Sequence, residues 1–213
     1  MINNRLQGSV MSRFLSRRTP VKLSREQTAE LIQLLFETGL TRAYLDIETD
    51  AEFVPTVVGI FIPEKGFYQL TRPNIKADNL HRIIEDVDVV VTYNGERFDL
   101  EVLRKKNGFS LPRNVRSLDL MYLCWDNELY GGLKKVEKTL GIKRDNIIDG
   151  FNGLDAIRLW EQYEYGDRTA LSLLLLYNRF DVMNLNELER RLRQLYEKRL
   201  RENHPALDLY LGP

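Results

Sequence analysis

The sequence predicts an α/β fold, a mixed β-sheet covered by helices on both faces. Three observations predict it. Runs rich in β-branched and aromatic residues crowd the stretch 43–119, as strands require. Segments with helical spacing fall between those runs. Beyond about residue 120 only helical periodicity remains, and strands interleaved with helices, then helices alone, is the pattern of a sheet with helical cover.

The elements follow in order. Residues 1–23 read as an irregular basic arm, with Arg5, Arg13, Arg17, Arg18 and Lys22 and no acid. Its slight likeness to a transit peptide is the less favoured reading. Ser24–Gln27, "SREQ", is a capping box. A helix carrying Leu31, Ile32, Leu34 and Leu35 should follow and stop at Gly39. "AYLDIET" from Ala43 is a strand, "TVVGIFIP" a second and "GFYQLT" a third, the last two close enough to pair as a hairpin. A helix is expected over Leu80–Val87. "DVVVTYNG" is a fourth strand, and "ERFDLEVLRKKNG" a helix closed by Gly108. "VRSLDLMYL" begins as a short strand and turns helical near Asp119. "GLKKVEKTLG", "LDAIRLWEQYEYG" and a long segment from about Thr169 to Arg201 complete the helices. The expected organisation is a basic arm and helix over 1–39, one domain over 40–200 and a tail over 201–213.

Composition narrows the function classes. With 213 residues, 43% of them hydrophobic and 29% charged, the chain suits one sizeable globular domain. Lys plus Arg equals Asp plus Glu at 31 each, so a polyanionic partner must be held by local basic patches. Cys124 is the single cysteine; it excludes a disulfide framework within the chain and favours a reducing, intracellular (cytoplasmic) setting. One cysteine and two distant histidines, His81 and His204, argue against a zinc site of the usual kind. No apolar run is long enough for a bilayer, so no membrane partner is expected.

The acids carry the chemistry. Residues two apart on a strand share a face, so Asp46 and Glu48 project together. In a buried strand such carboxylates are costly to desolvate unless compensated; the alternative is a solvent-facing pair on an edge strand. Asp99 follows the fourth strand in the first turns of a helix, where an acid also suits the helix dipole. Tyr177 and Asp181 stand four residues apart on one helical face of the apolar stretch "LLLLYNRFDVMNL". There Asp181 pairs with Arg179 or another arginine, or joins the other acids, and Tyr177 is a core residue or part of the same cluster. Four carboxylates and a phenol gathered at one end of the sheet would repel one another, and a divalent cation reverses that logic. Oxygen donors alone select a hard cation, Mg²⁺ or Mn²⁺. Sites of this type hold two ions about 3.5–4 Å apart and cleave phosphodiesters by in-line attack of water.

The order "DIET", "YNGERFD", "YNRFD" resembles the three exonuclease motifs of the DEDD superfamily, in the tyrosine subclass that includes proofreading domains of DNA polymerases. The stretch "GLKKVEKTLGIKR" through "YNRFDVMNL" is similar to the YprB-like ribonuclease H-like exonuclease domains, and the resemblance covers about 40–195. It implies a ribonuclease H-like fold with a five-stranded mixed sheet, its second strand antiparallel. It implies that Asp46 bridges two metals, that Glu48 and Asp181 complete the site of the first, and that Asp99 holds the second through water. Tyr177 would orient the attacking water, since a phenol with a pKa of about 10 is a poor base at neutral pH. The implied activity is removal of nucleotides from the free 3′ end of single-stranded nucleic acid, DNA slightly favoured over RNA. Ile47, Thr49 and Phe98 are candidates to hold the last base, and Asn94 to hold its sugar. Phe98 is otherwise a core residue, and Asn94 a helix cap. Asp119 is an N-cap or a ligand one step removed from the metals. Two other functions stay open: a noncatalytic nucleic-acid-binding module that keeps the fold, and a phosphodiesterase of small oligonucleotides.

Overall fold

The computed structural model describes residues 23–203; the expected basic arm and C-terminal tail lie outside them. Ser24 caps α1 (Arg25–Phe36) through a full capping box with Gln27. The helix ends at Phe36, short of the expected Gly39, because Arg42 from the next strand donates to the carbonyls of Leu34 and Glu37 at 2.8 and 3.0 Å. Those bonds satisfy carbonyls that a longer helix would otherwise have to pair.

Five strands form one sheet: β1 (Arg42–Thr49), β2 (Pro55–Ile62), β3 (Gly66–Thr71), β4 (Val89–Thr92) and β5 (Arg116–Asp119), in the order β3-β2-β1-β4-β5. β2 is antiparallel to both β1 and β3, whereas β4 and β5 run parallel to β1. Between them lie α2 (Ala77–Ile83) and α3 (Asp99–Asn107), and after them α4 (Leu120–Asp126), α5 (Leu133–Leu140), α6 (Gly153–Glu164) and α7 (Arg168–Asn203). This is the mixed five-stranded, ribonuclease H-like sheet expected, with the second strand antiparallel.

The alternation of β1 divides the core. Ala43, Leu45 and Ile47 pack with Leu80, Val102 and Leu103 under α2 and α3. Tyr44, on the opposite face, packs with Leu35 of α1 and with Val182, Leu185 and Leu188 of α7. Asp46 and Glu48 share the parity of Tyr44 and therefore face α7. A third apolar group joins Ala156 and Trp160 of α6 to Leu174 and Tyr177 of α7. α2 starts three residues earlier than expected and stops four earlier. Ile84 and Val87 continue its apolar spacing and are buried, but they pack from the turn that follows the helix. None of the described helices is long and apolar enough to cross a membrane.

Candidate active site

Strand ends bring the acids together. The parallel pairing of β1 with β4 stops at Tyr44↔Val91, and β4 itself ends at Thr92. Beyond that point the β4 side of β1 has no strand beside it. The amide of Ile47 then takes another acceptor, the Asp99 carboxylate, at 3.0 Å. Asp99 is the first residue of α3, not a later one, because Glu96–Phe98 form a turn. Asp119 fixes that turn. It caps α4 as expected, accepting from Met121 at 3.1 Å, and it also accepts from the amides of Asn94 at 2.7 Å and Glu96 at 3.3 Å. Asn94 holds a left-handed backbone (φ 65°). It caps no helix, and its side-chain oxygen accepts no hydrogen bond among the described residues.

One pocket collects the nine residues expected to hold the metals, the water and the terminal nucleotide, whereas Asp119 stays outside it as a cap. Asp46, Glu48, Asp99, Tyr177 and Asp181 line it together with Ile47, Thr49, Asn94 and Phe98. Oxygens of Asp46, Glu48 and Asp181 lie within 4.8 Å of one another. Asp99 lines the same pocket but stands outside that triad. Phe98 is partly buried, with its ring edge-on to Phe53 at 6.2 Å.

Two cations that spacing and periodicity did not single out belong to the site. Asp181 pairs with an arginine, but it is Arg144, from the segment after α5; Arg179 instead lies over the ring of Phe67. Arg144, whose side chain is only 6% exposed, also binds Glu137 through two nitrogens at 2.5 and 2.7 Å, and Asn184 supports Glu137 at 3.0 Å. Lys134, in the first turn of α5, donates to the Tyr177 hydroxyl at 2.7 Å, and its ammonium lies 4.1 Å from the ring centroid. A signal for Lys134 was present: a lysine at a helix N-terminus opposes the dipole and so needs another reason to be there. Nothing in the local pattern around Arg144 announces its partner. Gly132 and Leu133 at the start of α5, and Asn152 and Gly153 at the start of α6, complete the walls.

The charges do not balance. Five carboxylates, those of Asp46, Glu48, Asp99, Asp181 and Glu137, share Lys134 and Arg144. Burial, then the charges of Asp181, Glu48 and Asp99, hold the Asp46 carboxyl well above its ordinary range. Burial and Asp181 do the same to Glu48, against the pull of Lys134. Burial pushes Asp99 up to about 7, although the Ile47 amide opposes it. Burial also raises the Tyr177 phenol, with Asp181, Glu48 and Asp46 adding to the effect. Excess buried negative charge, all on oxygen donors, fits hard divalent cations. The ribonuclease H-like nucleases use such metals, and the clustered triad is consistent with that use.

Comparison with known proteins agrees with the fold. No curated protein gives a match. The family B DNA polymerase from the hyperthermophilic archaeon Pyrobaculum calidifontis superposes with a TM-score of 0.57 at 19% identity, over 78% of this chain. The chain spans 25% of that polymerase's length. A family model of the RNase H superfamily matches residues 43–193. The chain belongs to the RNase H superfamily.

Proposed function

We propose that the protein is a metal-dependent 3′→5′ exonuclease of single-stranded nucleic acid, DNA slightly favoured over RNA. Membership of the RNase H superfamily supports a nuclease and a nucleic-acid substrate. The observation that carries the finer reading is the convergence of Asp46, Glu48 and Asp181 within 4.8 Å, in a pocket that Asp99 and Tyr177 also line.

Asp46, Glu48 and Asp181 would hold one Mg²⁺ or Mn²⁺, and Asp99, with Asp46, a second. When bound, the cations supply Lewis-acid polarisation of the scissile phosphate and draw off the charge that builds on it. The chain's own groups do the rest. Lys134 donates to the Tyr177 oxygen, which leaves the phenol's own proton to orient a water for attack. The raised pKa of Tyr177 suits it to donating and not to taking the proton. Phe98, partly buried at the pocket, would offer apolar surface to the terminal base; Ile47 and Thr49 line the same pocket but are buried, Ile47 on the face packed under α2 and α3. Asn94, which lines the same pocket, would hold the sugar of that terminal nucleotide.

The test is an end-labelled panel of single- and double-stranded DNA and RNA with a Mg²⁺ and Mn²⁺ series. Ladders that shorten from the 3′ end are expected, with loss by orders of magnitude in Asp46→Ala and Asp181→Ala while the fold is retained. Protein that binds no divalent ion and degrades neither polymer refutes the enzyme. Binding that survives chelation without mononucleotide release would indicate a noncatalytic module. Preference for dinucleotides over long chains would indicate a small-oligonucleotide phosphodiesterase.

A further inference from the structure

Asn178 follows Tyr177 on α7 and is fully buried, with no exposed surface. A buried primary amide must place two donors and an oxygen, and here its neighbours dictate the orientation. Leu175 presents a backbone carbonyl, which can only accept. Gln69 of β3 therefore turns its amide nitrogen there, at 2.9 Å, and the same nitrogen reaches the Asn178 side-chain oxygen, also at 2.9 Å. With its oxygen engaged by Gln69, Asn178 must direct its nitrogen the other way. That nitrogen donates to the carboxylate Oδ2 of Asp46 at 3.0 Å and to the Asp46 carbonyl at 3.1 Å. The relay thus starts on the backbone of α7, passes through β3 and ends on the side chain in the middle of the acidic site.

Space for the relay is cut out of β2. Gly59 is the strand partner of Asp46. A Cβ at Gly59 would overlap the Asn178 amide oxygen and come within 2.8 Å of Val182 Cγ2. The glycine is required here by close approach, since its backbone lies in an ordinary strand. Asn178, Gln69 and Gly59 fall on three elements, and their common product is one fixed rotamer of Asp46. Its Oδ1 carries no hydrogen bond among the described residues.

We propose that Asn178 is a positioning residue for cation binding. Gripped at Oδ2 and at its carbonyl, Asp46 presents Oδ1 to the pocket without having to order itself when the metal arrives. The inference rests on the metal-dependent reading above. Groups that orient a ligand in this way commonly carry 10–100-fold in metal affinity or activity.

The experiment measures Mn²⁺ affinity of the full-length protein by the paramagnetic signal of free Mn²⁺, alongside kcat and KM on the preferred polymer. Asn178→Leu keeps the branched outline of the side chain, with more bulk, and removes both donors; Asn178→Ala removes the bulk as well. Both should weaken Mn²⁺ binding by about 10–100-fold and lower kcat more than they raise KM. Gln69→Leu, one link back and only partly buried, should shift affinity the same way by less, and it decides the question if the Asn178 variants do not fold. Gly59→Ala should resemble Asn178→Ala, and combining the two should cost little more than either alone. A purely packing role predicts wild-type affinity in Asn178→Leu. Wild-type affinity there, or in Gln69→Leu where only that variant folds, overturns the positioning role while leaving the enzyme intact. Wild-type protein that binds no Mn²⁺ overturns both.

Discussion

Arg144 shows how much one buried side chain can hold in place. Its guanidinium links Glu137 of α5 to Asp181 of α7, and its side chain is almost wholly shielded from water. Removing one member of a buried ion network leaves the others uncompensated and costs about 3–5 kcal/mol. Arg144→Met should therefore lose about that much in urea unfolding. A Glu137→Gln change made on top should recover part of it, because one of the two stranded charges goes. Tyr177→Phe tests the other cation. The ring remains, so packing against α6 should survive, but Lys134 loses its acceptor and a water loses its guide. Misplacement of a reacting group by about 1 Å can cost roughly 100-fold. A fall in kcat of that order, with an unchanged melting temperature, is expected. An unchanged kcat would return Tyr177 to the role of a core residue.

Elements show where local rules were enough. The Ser24–Gln27 box needed only neighbours in sequence, and its bonds are present at 3.0 and 3.1 Å. Ser24→Ala should cost about 0.5–2 kcal/mol. Leu35→Ala on the same helix should cost more, about 2–5 kcal/mol, because Leu35 is fully buried against the sheet. Comparing the two unfolding midpoints separates capping from packing. β1 was legible for the same local reason: alternating parity put Asp46 and Glu48 on one face before any contact was known. Helix ends were less legible. α1 stops early because a guanidinium from β1 takes its carbonyls. Ile84 and Val87 keep helical spacing after α2 has already turned, since a buried turn satisfies the same apolar pattern. In both places tertiary contact outweighs propensity.

At the scale of the whole molecule, the acids were readable because carboxylates in apolar strands and helices demand a partner. Their partners were not, since the cations Lys134 and Arg144 and the neutral Asn178 relay act across elements distant in sequence. The resulting excess of buried negative charge makes the protein's stability depend on pH. Burial pushes both Asp99 and Asp119 up to about 7, from an ordinary 3.8. Between those values the native state binds more protons than the unfolded chain, so the free energy of unfolding falls as pH rises. The stability these groups lend is fully present below about 3.8 and is lost as pH rises through about 7. Metal-free protein should therefore melt lower at pH 8 than at pH 6, and Asp119→Asn should flatten that slope. A cation reverses the trend, because it binds the ionised carboxylates and displaces their protons. Mn²⁺ at about 100 times its dissociation constant adds roughly 2.7 kcal/mol to the native state. At one fixed Mn²⁺ concentration the gain in melting temperature should be larger at pH 8 than at pH 6. Asp46→Ala should abolish most of that gain at either pH, and an equal gain in wild type and variant would place the cation somewhere other than between β1 and α7.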